Sequence, residues 1–191
     1  MDKASTPLVK YFTDRDQWRR WLITHFDKSE EVWLLYPKKA SGKVRIPYND
    51  AVEEALCFGW IDSTVKSYDA QTTMQRFCPR RKGSSFSQAN KERLRRLATH
   101  QLLHPSIASA VMPVLEKEFT FPQDIISQIQ ADPIAWDYYK QFSASYRRIR
   151  IAYIDSARKR PEEFKKRLNN FIAKTKANKL IKGYGGIDKY Y

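Results

Sequence analysis

The chain has 191 residues, of which 42% are hydrophobic and 14% aromatic, which excludes a disordered composition and allows a sizeable core. Its 35 basic and 21 acidic residues give a net charge of +14, which favours anionic partners such as nucleic acid or phosphorylated molecules. No apolar run reaches the ~20 residues of a transmembrane helix. The N-terminal residues lack the apolar segment of a secretory signal, so we expect a cytoplasmic protein.

The first part of the chain alternates between helix and strand patterns. Apolar residues at helical spacing predict a helix over about 14–27. The continuous apolar run "VWLLY" predicts a buried strand, and "VRIPY" predicts a second, short strand. A helix capped by Asn49 follows, and Gly59 is expected to end it in the left-handed conformation that glycine adopts at little cost.

From residue 60 onward the pattern changes to β-branched and aromatic residues. This composition predicts a β-hairpin over about 60–78. Alternation along its first strand places Trp60, Asp62 and Lys66 on one face and Val65 on the other. Asp62 is therefore expected to lie beside Trp60 on the same side of the sheet.

The remaining chain is predicted to be helical. Ser87 is expected to cap one helix and Ser145 another, and Pro161 is expected to open the last one. Pro113 is expected to bend or divide the helical stretch around 107–119, because proline lacks the backbone N–H that a helix needs.

Together these elements predict an α+β fold with a small, mostly antiparallel sheet, N-terminal helices and a helical C-terminal part. We divide the chain into an α+β core over 1–100 that contains the hairpin, a helical part over 101–175 packed on it, and a tail over 176–191. We expect these parts to form one structural unit.

Three motifs resemble those of the YdeI/OmpD-associated (OmdA) family, whose members are called bacteriocin-protection proteins. They are "ALCFGWIDS" at 55–63, which follows a tyrosine and an acid-rich helix, the basic serine-rich run at 79–90, and an isoleucine-rich helix followed by "ARKR" at 149–160. Two departures are Phe86, where tryptophan is common, and Pro161. The resemblance implies a small α+β domain with a helical C-terminal part, and a context of peptide resistance or envelope stress. It implies no mechanism.

The residues that follow the predicted hairpin are of types that bind anions. Arginine offers two parallel donors to a phosphate or carboxylate, hydroxyls donate, and the start of a helix presents amides with a positive dipole. The expected ligand-binding residues are Arg80, Lys82, Ser84, Ser87 and Asn90, with Trp60 and Asp62 shaping the pocket. The alternative is a solvated basic loop with an ordinary helix cap.

Asp62 is a weak candidate for a catalytic base. A lone carboxylate without a partnering acid, histidine or metal is thin evidence for catalysis, and an ion pair with Arg80 is an equally good use for it. The leading interpretation is therefore a non-enzymatic or weakly enzymatic protein. An enzyme that acts on a phosphorylated or acidic small molecule, with Asp62 as base, remains an alternative.

Cysteine and histidine residues give no strong site. Two cysteines, Cys57 and Cys78, make no disulfide framework and are expected to be buried thiols. The segment "HQLLH" at 100–104 has the spacing of two zinc ligands but lacks the glutamate of the metalloprotease motif. The sequence therefore predicts neither a metal site nor a cofactor.

Two segments carry the positive charge. Residues 76–96 hold eight basic groups and one acid, and residues 147–182 hold thirteen basic groups and three acids. A nucleic-acid-binding accessory protein is therefore an alternative function, and a solvated face is the structural alternative. The basic residues singled out for such a surface are Arg93, Arg96, Arg147, Arg150, Arg158 and Lys159.

Overall fold

The computed structural model describes residues 7–183, and the chain divides into two compact units. The first unit combines residues up to 85 with 96–112, and the second combines 86–95 with the residues from 113 onward. Of the predicted tail over 176–191, residues 184–191 lie outside the described residues.

A mixed sheet organises the first unit. Its strands are β1 (Val9–Lys10), β2 (Val32–Pro37), β3 (Trp60–Ser67) and β4 (Thr72–Pro79), in the spatial order β1-β2-β4-β3. β1 runs parallel to β2, and the other neighbours are antiparallel. Together with the helices, this confirms the α+β class and the mostly antiparallel sheet.

The predicted strand in "VRIPY" is wrong. This segment forms no strand, because its backbone bonds to the segment before the first helix and not to a strand of the sheet. Ile46 is fully buried, and its N–H donates to the carbonyl of Phe12 at 3.0 Å. The segment is therefore an anchored loop, and it leads directly into the second helix.

Two helices of the first unit supply aromatic and aliphatic core residues. They are α1 (Arg15–His25) and α2 (Tyr48–Cys57), close to the predicted helices. Trp18 on α1 is fully buried and donates through Nε1 to the carbonyl of Ala51 on α2 at 3.0 Å. Its ring also lies 5.6 Å from that of Phe77 on β4, so the tryptophan links both helices to the sheet. Pro47, and not Asn49, occupies the N-cap position of α2.

Gly59 joins α2 to β3 in the expected left-handed conformation, with φ of +72°. A second constraint was not visible in the sequence. A Cβ at this position would lie 2.7 Å from Cδ1 of Ile107, which is closer than real contacts allow. The backbone angle therefore favours glycine, and a larger residue would in addition displace the end of the Ile107 side chain.

The hairpin forms as predicted, but its simple alternation is wrong. Asp62 pairs with Phe77 and Val65 pairs with Gln75, so one extra residue of β3 is inserted between them as a bulge. Because residues directly opposite each other share a face, Val65 lies on the same face as Asp62. Lys66 is on the opposite face, where its Nζ lies 5.0 Å from the ring centroid of Trp33.

Most of the remaining chain is helical. The helices are α3 (Gln88–Thr99), α4 (Pro105–Glu116), α5 (Gln123–Gln130), α6 (Pro133–Gln141), α7 (Ala144–Asp155) and α8 (Pro161–Lys176). The second unit has its own apolar core, which includes Ile125, Ile129, Ile154 and Phe171. None of the helices within 7–183 is long and apolar enough to span a membrane.

Proline and serine positions give a mixed outcome. Pro161 opens α8 as predicted. Pro113 lies inside α4 and does not divide it, since the helix continues to Glu116. Ser143, and not Ser145, caps α7, because its Oγ accepts from the backbone N–H of Tyr146 at 3.1 Å.

Candidate functional site

Asp62 has a partner that the sequence did not reveal. The hydroxyl of Tyr48, the first residue of α2, donates to Oδ2 of Asp62 at 2.5 Å. The bulge after Asp62 leaves this carboxylate on the same sheet face as Phe77, which contacts Trp18. The aspartate is therefore held by a tyrosine at the start of the neighbouring helix and is no longer a lone group.

Two buried polar groups lie on the same face as Asp62. The strand register places Tyr36 opposite Thr73 and Gln75 opposite Leu34, on the face that also carries Phe77. Only 6% of Tyr36 and 5% of Gln75 is exposed, yet Tyr36 Oη and Gln75 Nε2 have no hydrogen-bond partner among the described protein atoms. A buried donor without a partner costs about 1–3 kcal/mol.

Arg45 adds a positive charge beside these groups. Its guanidinium carbon lies 5.4 Å from the ring centroid of Tyr36, and the adjacent Ile46 anchors the loop in the core. Burial, followed by the influence of Tyr48 and of Asp62, raises the pKa of Tyr36 well above its usual value, whereas Arg45 acts in the opposite direction. The four groups are therefore within electrostatic reach of one another.

The side chains gathered on this face are mainly hydrogen-bond donors. Tyr36, Arg45 and the amide of Gln75 all donate, and the N-terminus of the ten-residue α2 adds the positive end of a helix dipole. Asp62 supplies an acceptor and a negative charge. We refer to Tyr36, Arg45, Tyr48, Asp62 and Gln75 as the Asp62 cluster.

Trp60 does not face solvent. Only 1% of it is exposed, and its Nε1 donates to the carbonyl of Phe26 at 2.9 Å. Its ring meets that of Trp21 edge to face, 5.8 Å between centroids. Trp60 is therefore a core residue that fixes the start of β3, and it supports Asp62 from two positions away.

Arg80 is bonded to its own loop. Its Nη2 donates to the carbonyl of Ser85 at 2.9 Å, and to the hydroxyl and carbonyl of Ser84 at 3.0 and 3.2 Å. Burial lowers the pKa of Arg80. Lys82 and Ser84 are exposed in the same loop. The structure thus brings Arg80 and Ser84 together, in an arrangement that holds the loop closed.

The other predicted anion-binding residues belong to the second unit. The hydroxyl of Ser87 accepts from the backbone N–H of Asn90 at 3.3 Å, which confirms Ser87 as the cap of α3. The side-chain oxygen of Asn90 accepts from Arg93 at 2.8 Å. The predicted set is therefore divided between the two units.

Several of the predicted surface basic residues are not on the surface. Arg93 and Arg150 are 4% and 3% exposed, because their helix faces are turned toward the interior. Arg158 is exposed but bonds two carboxylates, Asp124 at 2.8 Å and Asp155. The half-buried Arg147 lies over the ring of Tyr139 at 5.6 Å, and Arg96 and Lys159 are exposed.

Two of the three buried carboxylates in the described part of the chain, Glu54 and Glu92, form ion-pair networks that were also missed, because their helices have the pattern of ordinary amphipathic helices. Glu54 on α2 accepts from Arg15 Nε at 2.8 Å and from Arg19 at 2.7 Å, both on α1. Glu92 on α3 accepts two bonds of 2.7 Å from Arg148 on α7 and one of 2.7 Å from Arg95. Each group is paired within its own unit, Glu54 in the first and Glu92 in the second, and its role is structural.

No cluster of three or more His, Cys, Asp or Glu side chains suited to a metal ion occurs within 7–183. Of the "HQLLH" histidines, His104 packs its ring 4.7 Å from that of Phe26, and its Nδ1 lies 2.7 Å from the hydroxyl of Ser106.

Two family models match this chain. A domain of unknown function, DUF8412, matches residues 10–110, which include the whole Asp62 cluster. The model described as bacteriocin-protection, YdeI or OmpD-associated (OmdA) matches residues 118–178. No curated protein and no solved structure is similar enough to the chain to match it.

Proposed function

Because the chain belongs to the DUF8412 family, and its residues 118–178, which contain the third of its three motifs, match the OmdA model, we propose that it is an anion-binding factor in stress or peptide resistance. The biological context follows from the OmdA description alone, which names bacteriocin protection. The ligand is a small carboxylate, and the Asp62 cluster binds it.

One observation carries this proposal: Tyr36 Oη and Gln75 Nε2 are buried on the face that holds Asp62, with no hydrogen-bond partner among residues 7–183. Natural proteins rarely keep such groups, since each costs stability. A carboxylate oxygen would accept from both, and Arg45 beside Tyr36 would balance the charge.

Asp62 restricts the choice of ligand. Its Oδ2 already accepts from Tyr48, and its other oxygen makes no hydrogen bond within the described part of the chain. A ligand with a donor of its own, such as the ammonium group of an amino acid, would satisfy that oxygen. A simple dianion would instead be repelled by the aspartate. The expected class is therefore a small carboxylic acid that also carries an amine or hydroxyl.

Free thiols support a cytoplasmic location for this function. Cys57 is buried and Cys78 half-buried, and neither forms a disulfide. Unpaired cysteines are usual in a reducing compartment.

The test is a thermal-shift and calorimetric screen of amino acids, hydroxy acids and phosphate esters against the wild type and three variants. A ligand that binds only the folded state raises the melting temperature. The expected result is that an amino or hydroxy acid stabilises the wild type and Lys43→Ala, a charge-matched control in the same exposed loop, but not Arg45→Ala.

The third variant, Arg80→Ala, distinguishes the two anion sites. If stabilisation survives Arg45→Ala but is lost in Arg80→Ala, the ligand binds the loop after the hairpin and the Asp62 cluster is not the site. Failure of every compound to stabilise the wild type would contradict the proposal as a whole.

The alternatives have less support. A nucleic-acid surface needs exposed cations in a continuous stripe, whereas Arg93 and Arg150 are buried and Arg158 is paired with carboxylates. For an enzyme, Asp62 would act as base, and Asp62→Asn would abolish turnover without unfolding the protein. The bond from Tyr48 occupies one carboxylate oxygen of Asp62 and fixes its orientation, which suits a group that positions a ligand.

A further inference from the structure

The second unit contains a cleft of about 390 Å³ between α7, α8 and the segment around Ile181. This volume falls in the range of small-molecule sites. Its floor is apolar and includes Ile154 and Phe171, each 1% exposed. The cleft belongs to neither the Asp62 cluster nor the loop of Arg80.

Basic residues dominate the rim and walls of this cleft. Among residues 7–183, four cationic side chains line it, Arg150, Lys166, Arg167 and Lys182, against one acidic side chain, Glu163. Glu163 is bonded to Arg167 at 2.7 Å, so these two charges compensate each other within α8 and the other three cations remain. The cleft therefore has a net positive charge around an apolar floor.

Two of the arginines are fixed in place before any ligand arrives. Arg167 lies on the ring of Tyr153, 3.8 Å from its centroid, and donates to the carbonyl of the same residue at 2.8 Å. Only 3% of Arg150 is exposed, and this arginine donates to the carbonyl of Ile181. Side chains held in this way lose little conformational entropy on binding.

We propose that this cleft binds a phosphorylated small molecule with an aromatic ring, of nucleotide size. Several cations converging on one cleft suit the doubly charged phosphate better than a single carboxylate. The aromatic part of the ligand lies against the apolar lining of the cleft, and the phosphate lies beside Lys166 and Lys182, the exposed cations of that lining. Both parts are needed, because the floor supplies apolar contact and the rim supplies charge.

The experiment measures binding of adenosine 5′-monophosphate, adenosine and inorganic phosphate by calorimetry. The expected order of affinity is the monophosphate first, phosphate weaker, and adenosine weakest. Lys166→Glu is expected to weaken the monophosphate about tenfold or more, the loss of one charge-assisted contact. Lys165→Glu is the matched control, because it makes the same charge change one residue earlier on α8 and lies outside the cleft.

Equal weakening by Lys165→Glu and Lys166→Glu would overturn the proposal, since it would reflect general charge attraction. So would the absence of monophosphate binding to the wild type. A single-stranded oligonucleotide that binds more tightly than the monophosphate, with a steep salt dependence, would identify nucleic acid as the partner and also overturn it. Arg45→Ala, in the first unit, should leave monophosphate binding unchanged, so this inference and the proposed carboxylate site fail independently.

Discussion

The hydroxyl of Tyr48 donates to Oδ2 of Asp62 at 2.5 Å and joins the first residue of α2 to the start of β3. The segment between the two residues contains the "ALCFGWIDS" motif except for its last residue, Ser63. The bond closes this segment on itself, because Gly59 reverses the chain between helix and strand. The motif thus has a structural role, because it fixes the position of the Asp62 carboxylate.

Tyr48→Phe should lower the free energy of unfolding by about 1 kcal/mol, the usual net value of one hydrogen bond. The substitution removes a single oxygen and keeps the ring, so packing is preserved. Urea unfolding measures the change, and Tyr68→Phe, at a tyrosine that is 54% exposed in the hairpin turn, is the control. Equal stabilities of Tyr48→Phe and the wild type would show that the bond does not hold Asp62.

Gly59→Ala should destabilise the protein more than Gly42→Ala. Both glycines have positive φ, +72° and +67°, so both variants incur a backbone cost of about 1–2 kcal/mol. Only at Gly59 does the new Cβ collide with Ile107, because Gly42 has nothing within 4 Å. Adding Ile107→Val, which removes Cδ1, should restore part of the loss in thermal unfolding. A double variant no more stable than Gly59→Ala would argue against the collision.

Glu92→Gln should cost about 1–3 kcal/mol, because it removes the buried charge that pairs with the half-buried Arg95 and Arg148. Chemical unfolding at neutral pH measures this loss. Glu162→Gln, at an exposed position on α8, should change stability little. A cost for Glu92→Gln no larger than that of the control would mean that the network contributes nothing.

The same glutamate should make stability depend on pH. Burial raises the pKa of Glu92, but the bonds and charge of Arg148, helped by Gln88 and Arg95, outweigh burial and hold the pKa below its usual 4.5. A carboxyl with a lowered folded pKa stabilises the fold above its unfolded pKa and loses this effect as the pH falls through the folded value. The stability difference between wild type and Glu92→Gln should therefore shrink below about pH 4.5. A stability difference that stays constant as the pH falls from 4.5 to about 3 would contradict this prediction.

Thiol labelling should distinguish the two cysteines. Burial, with a further contribution from Glu54 and against the effect of Arg19, raises the pKa of Cys57 to about 12. The thiolate is the reactive form, so Cys57 should resist iodoacetamide in the native protein. Cys78 is half-buried and should react first. Mass spectrometry of the wild type and of Cys78→Ser measures the labelling. Rapid labelling of Cys57 in the folded variant would contradict the prediction.

Arg80→Ala should loosen the loop after the hairpin. The side chain holds the carbonyls of Ser84 and Ser85, so its removal should speed amide hydrogen exchange in that loop. Arg81→Ala, at an exposed neighbour, should leave the exchange rates unchanged. Unchanged exchange in Arg80→Ala would show that the arginine does not hold the loop, and would favour the interpretation that it binds an anion.

Part of the fold was determined locally and could therefore be predicted from the sequence. The hairpin, the stop at Gly59, the cap at Ser87 and the start of α8 at Pro161 all depend on residues within a few positions of each other. The bulge after Asp62 could not be predicted, because it arises from pairing with β4 and changes the alternation of β3. Ser145 and Ser143 are equally good caps by composition, and the tertiary partner Glu92 takes the hydroxyl of Ser145.

The sequence by itself determined the composition class, the family motifs and the excess of positive charge, since these are properties of residue type and short spacing. Only the tertiary structure decided which charged groups are buried or paired with a partner. It buried Arg93 and Arg150, paired Glu54 and Glu92, and bonded Asp62 to Tyr48. It also brought Tyr36 and Gln75, which lie 39 positions apart by their numbering, onto one sheet face, where Tyr36 Oη and Gln75 Nε2 find no hydrogen-bond partner in the described part of the chain. Burial and long-range pairing depend on how distant segments pack, and no local pattern encodes that.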